Sequence, residues 1–128
     1  MIAALDHLVL TVADLDATLG FYCGVLGMEH VRFGGRHAVG FGNQKINLHV
    51  AGREFEPKSA RPTPGSGDLC FLLGVSLEEA RTRLDAVGVA VEEGPVPRTG
   101  ATGPLRSLYV RDPDGNLVEL SVSGPASG

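Results

Sequence analysis

The sequence predicts an α+β fold of two βαβββ modules whose curved mixed sheets enclose an inner metal-binding cup. Two observations carry this. One order of strand-period and helix-period segments occurs twice within 128 residues, and a few polar side chains interrupt otherwise apolar strands.

The first segment, 5–12, alternates. Leu8, Leu10 and Val12 share one side, while His7, Val9 and Thr11 share the other. Asp14 then stands where a helix N-cap is needed, and Leu15, Leu19, Tyr22 and Leu26 follow at helical spacing up to a stop at Gly27. Strands are expected over 29–33, 37–42 and 45–50, joined by turns at Gly34-Gly35 and Gly42-Asn43. The second half repeats the order with a strand over 68–73. A capping box at Ser76–Glu79 opens a helix carrying Leu77, Ala80, Leu84 and Val87, which Gly88 ends. Strands over 89–93, 106–110 and 116–122 complete it, the last two joined by Asp112-Pro113-Asp114-Gly115-Asn116. Residues 53–67 read as a linker and 94–104 as a loop, both from their Pro and Gly content. The chain is thus one domain over 1–128, with module one at about 4–52 and module two at about 68–123.

Neither module can bury both faces of its sheet alone. With helices on the outer faces, the inner faces are left to line a ligand cup. A net charge of -4, with no run of Lys or Arg, gives no electrostatic reason to expect nucleic acid or a membrane surface. The N-terminus lacks a basic region ahead of an apolar stretch, and Cys23 and Cys70 form no CxxC pattern, so the cytoplasm is the expected compartment.

Strand alternation turns four ionisable groups inward. His7 lies opposite Leu8 and Leu10, and His49 is out of phase with Leu48 and Val50, with Asn47 on its own side. Asp68 opens the strand matching that of His7, and Glu119 sits among Val118, Leu120 and Val122 in the strand matching that of His49. Two imidazoles and two carboxylates suit a divalent cation such as nickel, zinc, manganese or iron. The plainer readings are a turn-capping role for Asp68 and a strand-end role for His7. His30 and His37, near glycine turns, are set aside as non-ligands. Ser107 and Tyr109 lie in phase with each other. Arg98 belongs to a segment of hydroxyls and flexible amides suited to a small anion.

The opening LDHLVLTVADLDATLGFYCGVLGM and the closing SLYVRDPDGNLVEL resemble the vicinal oxygen chelate superfamily, which includes glyoxalase I, extradiol dioxygenases, fosfomycin-modifying enzymes and bleomycin-binding proteins. The segments FGNQKINLH, GREFEPKSARPTPGSGDLC and GPVPRTGATGP are similar to glyoxalase domain-containing protein 5 and bacterial virulence-protein relatives. The resemblance implies a homodimer in which His7, His49, Asp68 and Glu119 hold the metal, with Glu119 or Asp68 acting as base. It implies a substrate contact by Tyr109, beside which Asn47, Arg98 and Ser107 are the further candidates for substrate binding. Glyoxalase I has His or Gln, Glu, His, Glu in that order, whereas this chain offers His, His, Asp, Glu. Three activities are compatible with the resemblance. They are a metal-dependent lyase or isomerase acting on two vicinal oxygens, an iron-dependent ring-cleaving dioxygenase, and a drug- or metabolite-binding protein without chemistry. With Phe 5, Tyr 2 and Trp 0, the chain has few residues to wall in a planar drug.

Overall fold

In the computed structural model, which describes residues 1–124, the chain forms two four-stranded sheets in two compact units that meet in sequence at Ser66 and Gly67. Unit one holds β1 (His7–Val12), α1 (Leu15–Leu19), β2 (Glu29–Phe33), β3 (Arg36–Phe41) and β4 (Gln44–Val50). Unit two holds β5 (Asp68–Leu72), α2 (Leu77–Ala86), β6 (Glu93–Thr99), β7 (Pro104–Arg111) and β8 (Leu117–Ser123). The sheet orders are β1-β4-β3-β2 and β5-β8-β7-β6, one topology used twice. In each sheet the first and last strands pair in parallel and the others antiparallel. The repeated βαβββ order read from the sequence is therefore the order of the fold.

Local chemistry explains most of the elements. Asp14 Oδ1 accepts from Ala17 N at 2.9 Å to start α1, and Ser76 Oγ accepts from Glu79 N at 3.1 Å to start α2. Gly34 and Gly35 take φ of 54° and 74°, the paired left-handed conformations of a tight hairpin. The Asp112–Asn116 turn closes on itself: Asp112 Oδ1 accepts from the backbone N–H groups of Asp114 and Asn116, both at 2.9 Å. Asn116 Oδ1 then accepts from Gly67 N at 2.6 Å, tying the turn to the start of β5. The helix-facing cores contain Leu10, Val12, Tyr22, Ile46 and Leu48 in unit one, and Leu84, Leu108, Val110, Val118 and Leu120 in unit two.

Two expectations are corrected. The first helix does not run regularly to Leu26. After Leu19 it continues as a π-helical segment, Gly20–Val25, where two glycines supply little intrinsic preference for α geometry. The second strand of module two is Glu93–Thr99 rather than 89–93, so most of the segment read as a loop is strand. Pro95 and Pro97 argued against a strand, but β6 is the edge of its sheet, where missing N–H groups break no ladder. A register shift between Glu93 and Val96 absorbs Gly94, whose φ is 115°. A Cβ at Gly94 would also lie 2.4 Å from the Ser107 carbonyl oxygen, so only glycine fits this close approach.

Candidate metal and substrate-binding faces

Register decides which polar groups share a face. In unit two, Glu119 pairs with Cys70 on one side and Tyr109 on the other, and Ser121 pairs with Ser107. These side chains, with Asp68 and Arg98, lie on the face away from Val118 and Leu120. Hydrogen bonds link Cys70, Ser107, Glu119 and Ser121 to one another, and Arg98 to Tyr109. Ser107 Oγ donates to Glu119 Oε2 at 2.6 Å, and the Ser107 and Ser121 hydroxyls are 2.7 Å apart. Ser121 Oγ also lies 3.3 Å from Glu119 Oε2 and from Cys70 Sγ. Arg98 Nε donates to the Tyr109 hydroxyl oxygen at 2.8 Å, with the guanidinium 5.2 Å from the ring centre and 3.5 Å from Glu93. Ser107 and Ser121 are fully buried, so the network is fixed by packing as well as by its own bonds.

Burial raises the Tyr109 phenol above its ordinary value. The Glu119 carboxylate adds to this, against the opposing hydrogen bond from Arg98. Tyr109 therefore stays protonated at neutral pH and keeps a proton to donate. Desolvation, with the charges of Glu119 and Asp68, likewise pushes the Cys70 thiol up against the lowering effect of Ser121.

Unit one is arranged on the same plan with different chemistry. His7 pairs with Lys45, Val9 with Asn47 and Thr11 with His49, so all six share one face of the sheet, the face away from Leu10 and Leu48. His7 and His49 nevertheless stand four register positions apart, about 13 Å along the strands. The register does not bring these two imidazoles together. It does pair near neighbours: Asp68 and Glu119 are offset by two residues across β5–β8, and His7 and Asn47 by the same two across β1–β4. The residue equivalent to Glu119 is therefore Asn47, and the equivalent of His49 is Ser121. Both strands show the same alternation, and only the backbone pairing distinguishes a shift of two.

His7 is exposed and its Nδ1 lies 2.7 Å from Asp6 Oδ1; that hydrogen bond, then the imidazole's charge, holds the Asp6 carboxyl below its usual range. Asn47 is buried and its Oδ1 has no hydrogen-bond partner among the described residues. His49 is buried edge-on to Phe55, ring centres 5.7 Å apart, and Phe55 carries the Arg36 guanidinium 4.3 Å above it. A cleft of about 570 Å³ lies at the His7 end of this sheet, lined by Asp6, Glu29, Val31, Gly40 and Lys45 among others. Among the described residues, no group of three or more His, Cys, Asp or Glu side chains is gathered around one point. Sequence reasoning did not single out Asp6, Ser121 or Cys70. The in-phase spacing of Ser121 with Glu119 and the Asp6-His7 adjacency were the available signals.

Residues 4–120 match the family model described as the Glyoxalase/Bleomycin resistance protein/Dioxygenase superfamily. The chain is 57% identical over 121 residues to glyoxalase domain-containing protein RDO1 of Mycosarcoma maydis, covering 94% of this chain and 68% of that protein. It is 52% identical over 122 residues to virulence protein STM3117 of Salmonella typhimurium, covering 94% and 85%. The crystal structure of STM3117 superposes with a TM-score of 0.94 over 97% of this chain and 99% of that one. Lactoylglutathione lyase from Agrobacterium tumefaciens superposes with a TM-score of 0.72 at 28% identity, covering 95% of each chain.

Proposed function

Because the chain belongs to the Glyoxalase/Bleomycin resistance protein/Dioxygenase superfamily, we propose that it is a metal-dependent, glyoxalase-like lyase or isomerase acting on a small substrate with two adjacent oxygens. The observation that carries this is the hydrogen-bonded cluster on the face of unit two away from Val118 and Leu120. There a half-buried carboxylate, Glu119, is held at one oxygen by Ser107 while a protonated phenol stands beside it. A carboxylate orientated this way in an apolar strand is suited to taking a proton from carbon.

Each unit carries donors of the type a divalent cation takes. With Nδ1–H donated to Asp6, His7 keeps its Nε2 lone pair for a metal, the usual arrangement of a ligating histidine. Asp68 and Glu119, on neighbouring strands, offer two anionic donors. The unpartnered Asn47 oxygen is a further donor of the hard type. We assign His7, Asp68 and Glu119 as ligands. His49 is retained as the fourth donor of the expected set, to be tested against Asn47. When bound, the ion supplies Lewis acidity that polarises a carbonyl.

The chain's own groups do the rest. Glu119 removes the proton beside that carbonyl, and Ser107 fixes the carboxylate so that one orientation is used. Tyr109, braced by Arg98, donates its hydroxyl proton toward developing charge on a substrate oxygen. Arg98 adds attraction for an anionic substrate. Free Cys23 and Cys70 suit the reducing cytoplasm, and a homodimer covers exposed sheet edges.

The test is proton exchange. α-Hydroxy ketones and hemithioacetals incubated in deuterated water should gain deuterium beside the carbonyl when metal is added, and Glu119→Gln should abolish the gain. If none exchanges while a catechol consumes oxygen in the presence of iron, the lyase reading is wrong.

A further inference from the structure

Two imidazoles on the β2–β3 hairpin lie outside the faces described above. His30 pairs with Val39 and His37 with Arg32, so the histidines are diagonal neighbours on the opposite side of the sheet from Asn47 and His49. His30 Nε2 and His37 Nδ1 are 2.8 Å apart. Their rings are inclined by 22° with centres 5.0 Å apart, so the near-parallel rings meet at their nitrogens and share one proton. His30 is exposed and His37 half-buried.

We propose that the His30–His37 pair is a second, surface cation site, specific for a late first-row divalent ion, with Cu²⁺ held in preference to Ni²⁺ or Zn²⁺. Two nitrogens about 2.0–2.1 Å from one ion lie about 2.9 Å apart at a right angle and about 3.3 Å apart at a tetrahedral angle. The hairpin already holds the pair at the shorter of these separations, the one favoured by square-planar Cu²⁺. Binding needs only that the rings turn and the bridging proton move to the outer nitrogen of its own ring. Water completes the coordination, since the site is open to solvent. Both imidazoles must be neutral to ligate. Desolvation, then the charges of Arg32 and His37, hold His30 below its ordinary value, so protons compete weakly at neutral pH. Arg32, directly opposite His37 on the same face, is the group that opposes the cation.

The experiment is calorimetric titration of Cu²⁺ into chelator-stripped full-length protein. Wild type should show a binding equivalent that is missing from both His30→Ala and His37→Ala and kept in Glu119→Ala, which alters the separate proposed site. Arg32→Gln should tighten that equivalent. The electron paramagnetic resonance spectrum of the Cu²⁺ complex should keep coupling to imidazole nitrogen in a His7→Ala, His49→Ala double variant, whose remaining histidines are His30 and His37. Titrations of His30→Ala and His37→Ala that match wild type in number and affinity overturn the proposal.

Discussion

At the scale of single residues, the most informative positions are those where register and alternation give different partners. Asp68→Asn and Glu119→Ala should each weaken metal binding, measured by metal content after dialysis against a weak chelator. The decisive comparison is between Asn47→Ala and His49→Ala. Greater loss in the first would identify the position equivalent to Glu119 as the fourth donor, and greater loss in the second would restore the imidazole pair. Cys70 offers a separate check on the electrostatics of unit two. Its thiol pKa is raised by desolvation and by two carboxylates, so the thiolate is scarce at neutral pH. Alkylation followed by peptide mass spectrometry should show Cys70 reacting slowly at pH 7 and accelerating only above the ordinary thiol range. Glu119→Gln should bring that acceleration to lower pH. Equal rates at pH 7 and pH 10 would contradict the direction of the shift.

At the scale of elements, the Asp112–Asn116 turn shows how a local motif can fix a distant strand. Asn116 is buried, donates to Asp112 Oδ2 at 2.7 Å and accepts from Gly67 N at 2.6 Å. Asn116→Ala leaves those partners unmet and should cost about 1–3 kcal/mol, read from urea denaturation of the variant against wild type. That turn was legible in the sequence, as were the alternating strands and both N-caps, because each is written within a few consecutive residues. That His7, Asn47 and His49 share one face of their sheet, and that Glu119 faces away from Val118 and Leu120, followed from period-2 alternation in the same way. Two features were not legible. The edge strand β6 was masked by prolines whose missing N–H groups matter only if the strand is interior. The equivalence of Asn47 with Glu119 depends on inter-strand register, and two strands with the same alternation can be matched two residues apart with no change in facing.

At the scale of the whole molecule, the expected assembly is a homodimer, and light scattering at micromolar concentration should return twice the chain mass of 13.4 kDa. A strand at a sheet border is a polymerisation point as well as a docking point, and the two ends of a sheet need not be equally reactive. On the edge strand β6, Pro95 and Pro97 carry no N–H group for a further strand to use. At these two positions the border is chemically blunted, because an incoming chain finds a carbonyl but no N–H group, and growth is discouraged there. Restoring the donor should reopen it. Pro97→Val, with a β-branched residue at the same place, is expected to raise the rate of fibrillar or amorphous aggregation on mild heating, followed by turbidity and a β-sensitive dye. The two prolines that hid a strand from the sequence pattern would then be what keeps solutions of this protein from gelling.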